Sequence, residues 1–254
     1  MVKVIMHGCN GKMGQVISGL IADDPDVTMV AGIDVYDDGH NPYPVYKNIN
    51  DCDLQADCII DFSNAKAVDD LLAYCERTGI PCALCTTGLS EQQLKLVEET
   101  SKKVAILKSA NMSVGINLLM KLLKDASKVL TDAGFDIEIV EKHHKLKVDA
   151  PSGTALALAD VINEELSNEY EYVYDRSTRR EQRPKKEIGI SAVRGGTIVG
   201  DHDVIFAGAD EVITLSHRAY SKAVFGKGAV QAAKFLAGKG PGLYNMSDVI
   251  EASV

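Results

Sequence analysis

The first 34 residues leave this chain little choice of architecture. Val2 to Met6 is an apolar, β-branched run that predicts a buried strand, and Met13, Val16, Ile17, Leu20 and Ile21 recur at helical spacing. Between them lies Gly8-Cys9-Asn10-Gly11-Lys12-Met13-Gly14. Its G-x-x-G-x-x-G spacing lets a chain turn sharply and bring backbone amides to a pyrophosphate at a helix N-terminus. A second strand, Val27 to Asp34, ends in a carboxylate about twenty residues after the last glycine, where it suits the hydroxyls of an adenosine ribose. Strand, turn, helix, strand and terminal Asp in register predict a dinucleotide site.

The alternation continues. Cys58 to Phe62, Pro81 to Thr86 and Val104 to Leu107 predict strands, with helices over Ala65 to Glu76 and from about Glu91. This is the pattern of a parallel α/β sheet. Two loops then fall at the carboxyl ends of strands, where open α/β sheets bind ligands. Cys85-Thr86-Thr87 and Ser109-Ala110-Asn111-Met112 are the expected cofactor contacts there, beside Gly8 to Met13 and Asp34. Val35, Tyr36, Asp37 and Asp38 follow Asp34 with no Arg or Lys, so NADH is expected to be preferred. NADPH remains possible, with Lys12 offsetting some of the negative charge.

After Asn111 the pattern changes. A longer helix through Leu118, Leu119, Leu122, Leu123 and Val129 precedes a strand over Asp136 to Glu141. A helix from about Ser152 follows, then a polar region from Tyr170 to Lys186. Three strand-like runs with an antiparallel look come next: Ile188 to Val193, Asp203 to Ala207 and Glu211 to Ser216. Strands after helices predict a separate α+β domain. The last helix, from about Lys222 to Leu236, suits either domain on pattern alone.

The second candidate site is Glu141-Lys-His-His-Lys-Leu-Lys-Val-Asp-Ala-Pro-Ser-Gly-Thr154, which gathers positive charge in a chain of net charge -9. Ser152 or Thr154 can cap the coming helix, while Gly153 opens its amides to an anion. Lys147 and a histidine would complete a carboxylate site, and a histidine is suited to proton transfer near neutral pH. Lys142 and Lys145 are expected to be solvated surface. The acidic balance argues against nucleic acid and anionic membrane as partners. No apolar run reaches the ~20 residues of a bilayer span and no leader is evident, so a cytoplasmic protein is expected. Cys82-Ala-Leu-Cys85 lacks a second pair, so buried thiols are expected there and no metal.

The Glu141 to Ala155 block resembles the signature of the 4-hydroxy-tetrahydrodipicolinate (dihydrodipicolinate) reductase family. Gly8 to Gly14, Asp61-Phe62-Ser63, Thr86-Thr87-Gly88, Asn111 to Gly115, Arg194-Gly195-Gly196, Val199 to His202 and Ser216 to Ala219 are similar to other blocks of that family, in its order. Cys85, where a glycine is common, and Leu146, where a basic residue or His is common, depart from it. The resemblance implies reduction of 4-hydroxy-tetrahydrodipicolinate with NAD(P)H on the diaminopimelate route to lysine. His143 becomes the catalytic acid/base and Lys147 a proton donor that also contacts substrate. His144, Gly153 and Thr154, beside Ser152, become contacts to a small dicarboxylate. It also implies a Rossmann-type domain, residues 1–112 with the last helix in 218–254, plus a substrate-binding and oligomerisation domain, 113–217, whose mixed sheet builds a homotetramer. Two rival readings are a semialdehyde dehydrogenase with Cys85 as nucleophile and a nucleotide-sensing Rossmann protein without catalysis.

Overall fold

The computed structural model describes residues 1–174 and 176–252. In chain order they form β1 (Val2–His7), α1 (Lys12–Ala22), β2 (Val27–Ile33), β3 (Val45–Tyr46), β4 (Cys58–Asp61), α2 (Val68–Thr78), β5 (Cys82–Leu84), α3 (Glu91–Ser101) and β6 (Ala105–Lys108). Then come α4 (Val114–Asp132), β7 (Asp136–His143), α5 (Gly153–Glu165), β8 (Glu171–Val173), β9 (Glu187–Arg194), β10 (Gly200–Ala207) and β11 (Val212–Ala219). The chain ends in α6 (Ala223–Leu236), β12 (Gly242–Tyr244) and α7 (Met246–Glu251). Residues 1–114 and 223–254 make one compact unit and 115–222 another.

In the first unit seven strands pair in the order β12-β6-β5-β4-β1-β2-β3, all parallel. The order reverses between β1 and β4, which is the switch point of a Rossmann-type sheet. Alternate residues of each strand face opposite layers. Val4, Met6, Cys58, Ile60 and Leu107 pack with α1, α6 and α7, while Ile5, Ile33, Ile59, Leu84 and Ile106 pack with α2 and α3. Both faces are covered, so the strands are nearly continuous apolar runs, which is how they announce themselves in the sequence. The helix expected from about Lys222 to Leu236 is α6 and belongs to this unit. Gly226 in it lies against Leu20 and Ile17, where even a Cβ would be 3.0 Å from Leu20.

The second unit holds a five-stranded sheet in the order β11-β10-β7-β9-β8. It is mixed: β10 runs antiparallel to β7 and β11, but β9 is parallel to both β7 and β8. The antiparallel look of the three late strands therefore holds for β10 and β11 only. The expected boundary at 217/218 falls inside β11, where Arg218 and Ala219 still pair with Asp201 and Gly200 of β10. α4 and α5 cover one face through Leu119, Leu123, Leu158 and Ile162, against Ile137, Ile139, Ile190, Val204 and Phe206.

The polar region from Tyr170 carries β8, too short and too polar to show a strand period. It also carries Arg183, which donates to Glu138 Oε1 at 3.0 Å, Asp136 Oδ1 at 2.7 Å and the Glu187 carbonyl at 2.6 Å. Charge here ties the starts of β7 and β9 together. Asp175, within that region, lies outside the described residues.

Candidate functional site

In the first unit the loop after β1 is shaped by glycine. Gly8 has φ +84°, and a Cβ on it would stand 2.7 Å from the Phe62 carbonyl oxygen. A Cβ on Gly14 would stand 2.2 Å from the Gly8 carbonyl oxygen and 2.5 Å from that of Cys9. Gly11 precedes α1 as its N-cap and, having no side chain, leaves the first amides of α1 uncapped by it. These residues fit a pyrophosphate.

Asp34 lines a cavity of 570 Å³ together with Gly8, Gly11, Ser63 and Asn64. Its carboxylate already accepts from the Asn10 amide at 3.0 Å and the Tyr36 amide at 3.2 Å. A carboxylate has about four acceptor sites, so ribose hydroxyls can still be held. Two cations that the local sequence did not reveal line the same cavity. Lys47 follows β3, which pairs with β2, and Lys66 lies in the 3-10 turn before α2. The stretch after Asp34 is free of Lys and Arg, but its surroundings in space are not.

The remaining expected contacts divide. The Cys9 side chain is wholly buried, so only its backbone can meet a ligand, and burial followed by Asp34 pushes its thiol up to about 11. Met13 is half-buried and Lys12 exposed at the start of α1. Thr86 is buried, and its Oγ1 finds no hydrogen-bond partner among the described residues. Thr87 and Ala110 are exposed; Ser109 Oγ donates to the Asn111 carbonyl at 3.1 Å, and Asn111 Oδ1 accepts from the Ser113 amide at 2.8 Å. Met112 is part of the core, with its carbonyl against Gly228. Burial, then the Asp61 carboxylate, drives the Cys85 thiol well up. A thiol held protonated is a poor nucleophile, which removes the support for the semialdehyde dehydrogenase reading. Sequence reasoning missed His7 at the end of β1, whose Nδ1 lies 2.9 Å from the buried Asp61 at the end of β4.

The second unit assembles its site by strand register. Along β7 the inward face reads Ile137, Ile139, Glu141, His143, so the apolar period ends in a carboxylate and an imidazole. Opposite them, β10 brings His202 beside Glu141, and β9 brings Arg194 beside His143. α5 starts above this end, with Ser152 as N-cap.

One carboxylate organises the group. Glu141 Oε1 accepts from Arg194 Nη2 at 2.7 Å and the Ser152 amide at 2.9 Å. Its Oε2 lies 2.6 Å from His143 Nδ1 and accepts from Arg194 Nη1 at 2.8 Å. Glu141 is fully buried, and burial would raise its carboxyl. The Arg194 guanidinium, His143 and the Ser152 amide outweigh that and hold it below the usual range. His202 makes a T-shaped contact with His143 at 5.2 Å, and its Nε2 lies 3.1 Å from Ser152 Oγ. Burial and then the charge of His143 push His202 down to about 4.

The other expected residues sit in the loop beyond. His144 is half-buried, and its Nδ1 has no hydrogen-bond partner among the described residues. Lys147 Nζ lies 2.7 Å from Asp149 Oδ1. Lys147 first, then the backbone amides of Asp149 itself and of Gly153, hold the Asp149 carboxyl below its ordinary value. Thus Lys147, expected to hold a substrate carboxylate, already pairs with a carboxylate of the chain. Gly153 and Thr154 open the first turn of α5, and nothing lies near a Cβ built on Gly153.

Ser152 is buried; its amide serves Glu141 and its Oγ accepts from the Ala155 amide at 3.2 Å, so the cap offered by the sequence is made. One expectation changes. Lys142 is not solvated surface: it pairs with Asp203 at 3.0 Å, because β10 runs beside β7. Glu141, Arg194 and His202 lay inside noticed sequence blocks, yet nothing local marked them as one network. A buried Glu two residues before a His on an alternating strand is the one signal that was available.

Comparison with known proteins agrees along the whole chain. Residues 2–112 match the family described as "Dihydrodipicolinate reductase, N-terminus", and residues 115–250 match "Dihydrodipicolinate reductase, C-terminus". A 4-hydroxy-tetrahydrodipicolinate reductase of Caldanaerobacter subterraneus subsp. tengcongensis is 55% identical over 251 residues, covering 99% of each chain. One from Clostridium tetani is 49% identical over 252 residues, covering 99% of this chain and 98% of its own. Among solved structures, a dipicolinate-bound dihydrodipicolinate reductase from Paenisporosarcina sp. TG-14 superposes with TM-score 0.78. It is 24% identical and covers 96% of this chain and 97% of its own, so the likeness is one of fold. A probable dehydrogenase from Thermotoga maritima shares the fold more distantly, at TM-score 0.66 and 13% identity over 99% of this chain and 93% of its own. With both halves matched and relatives near half identical from end to end, this chain belongs to the dihydrodipicolinate reductase family.

Proposed function

We propose that the chain reduces 4-hydroxy-tetrahydrodipicolinate to tetrahydrodipicolinate, with NAD(P)H oxidised and water released, on the diaminopimelate route to lysine. The bound nicotinamide supplies a hydride to an electron-poor ring carbon. As electrons move towards the ring nitrogen, His143 delivers a proton from Nε2, and Lys147 supplies positive charge and a further proton source. The amides of Gly153 and Thr154 receive a ring carboxylate, with His144 beside them. The observation that carries this reading is the His143 imidazole anchored by Nδ1 to the buried Glu141 carboxylate at 2.6 Å. Idle surface histidines are not built this way.

Gly8 to Met13, Asp34, Cys85 to Thr87 and Ser109 to Met112 are the proposed cofactor contacts. Asp34 favours the ribose hydroxyls of NADH, and Lys47 with Lys66 gives NADPH a lesser entry. The family expectation of a homotetramer is supported by an apolar face on the second unit. Leu122, Val129 and Ile213 are 46%, 67% and 37% exposed there, beside Leu130 and Leu215 in one groove. A cytoplasmic location is proposed as well; no helix of the described residues is long and apolar enough to cross a membrane.

The test is NADH oxidation followed spectrophotometrically with freshly made dihydrodipicolinate synthase product. His143→Gln and Lys147→Met should each lower kcat by about 10²–10⁴-fold, the usual range for a general acid, with NADH affinity nearly intact. Wild-type turnover in both would refute the assignment. In the same assay kcat/KM should be higher with NADH than with NADPH; the reverse would overturn the cofactor preference.

A further inference from the structure

Glu141 makes four hydrogen-bond contacts at the end of β7. All of its roughly four acceptor sites are filled. The Arg194 guanidinium and the Ser152 amide can only donate, so three of those bonds require the oxygens to accept. The fourth contact, to His143, is then fixed in direction: Nδ1 carries the hydrogen and donates it. Nε2 is left as the nitrogen that gains and loses a proton, and no hydrogen bond to it is found among the described residues. It lies against Gly200, where a Cβ would stand 3.0 Å from Nε2. The backbone there leaves the reactive nitrogen uncrowded by a side chain.

We propose that Glu141, clamped by Arg194, is a positioning residue that fixes the tautomer and plane of His143 and balances the charge of its imidazolium. Arg194 is part of the device because it divides the carboxylate's charge between two cations. With Arg194 present, Glu141 supports the imidazolium without binding its proton so firmly that transfer to substrate is slowed. The inference rests on His143 as the proton donor. The charged and titratable groups around that imidazole are Glu141 on β7, Arg194 on β9, His202 on β10 and Lys147 with Asp149 in the following loop; His217 of β11 lies beyond His202.

The two sides of the clamp have opposite signatures. In Glu141→Gln the carboxamide NH₂ faces His143 Nδ1, which must then accept, and the neutral imidazole carries its hydrogen on Nε2. kcat should fall about 100-fold or more, as it does when a catalytic histidine is held in the wrong tautomer. Substrate KM should stay within a few-fold, and the loss of kcat at high pH should begin at lower pH. In Arg194→Gln the carboxylate has one cation left, so the same limb should move to higher pH, with a smaller fall in kcat. ¹⁵N NMR of histidine-labelled protein should report the hydrogen on Nδ1 in the parent and on Nε2 in Glu141→Gln. Opposite movement of the two limbs supports the inference. If His143→Gln is impaired but both clamp variants keep the parent profile and tautomer, the inference is overturned. A fully active His143→Gln would instead overturn the proton-donor reading beneath it. Should Glu141→Gln fail to fold, Arg194→Gln decides: a limb that stays put or moves to lower pH counts against the clamp.

Discussion

The two sites of this chain are built from different materials. The loop after β1 works through backbone: glycines without Cβ atoms, a glycine N-cap at the start of α1, and one carboxylate that ties the loop together. The end of β7 works through side chains: a buried carboxylate, a guanidinium and two imidazoles locked in a network. A backbone site needs small residues at fixed short spacing, so it is written locally. A side-chain network needs partners that register brings together, and Glu141 and Arg194 are 53 positions apart. The first should be intolerant of added volume and indifferent to pH. The second should be the reverse.

In the first site the largest effect expected is at Gly14. Gly14→Ala places a Cβ inside two backbone carbonyl contacts, and NADH affinity should fall on the order of 100-fold, ~2.7 kcal/mol. Fluorescence titration of NADH checks this, with circular dichroism to follow the fold. Parent-like binding would mean that the turn does not need its glycine.

Acid should act on the second site. His202 has a folded pKa of about 4 against an ordinary 6.5, so between those values the unfolded chain binds more protons than the folded one. Stability is full above about pH 6.5 and falls as pH drops towards 4, by up to about 3 kcal/mol from this residue. Glu141 adds to the trend at still lower pH: its carboxyl is held below 4.5, so its contribution is lost as pH falls through the lowered value. Denaturant unfolding of the parent and His202→Gln across this range should show a shallower acid slope in the variant. Equal slopes would remove His202 as the cause.

Asp149→Asn gives a smaller change of opposite sense. Asp149 takes up Lys147, so removing its charge should lower substrate KM by a few-fold, seen in steady-state kinetics. A raised KM would show that Asp149 orients Lys147 rather than competing for it.

Gly153→Ala is the smallest and contrasts directly with Gly14. No atom lies near its Cβ, so thermal unfolding should show unchanged or slightly higher stability, by about 0.5–1 kcal/mol from helix propensity. KM should rise if a carboxylate approaches these amides. Unchanged KM would move the anion seat elsewhere.

Much of the first unit was legible because its strands are buried on both faces and its helices are amphipathic. β3 and β12 were not, being two and three residues long with no period to display. In the second unit β7 and β10 were legible as strands, but the parallel β7–β9 pair was not, since a crossover leaves no local mark. Lys47 and Lys66 were missed beside Asp34 for the same reason.

By itself, then, the sequence determined what depends on neighbours along the chain: the glycine turn, the alternation of strand and helix, and the helix start at Ser152. Only the tertiary structure decided what depends on neighbours across strands. It joined Glu141 to Arg194 and His202, and brought Lys47 and Lys66 to the cavity that Asp34 lines. Backbone conformation is set within a few residues, whereas a buried charge takes its state from whichever partners the sheet register brings within hydrogen-bond reach.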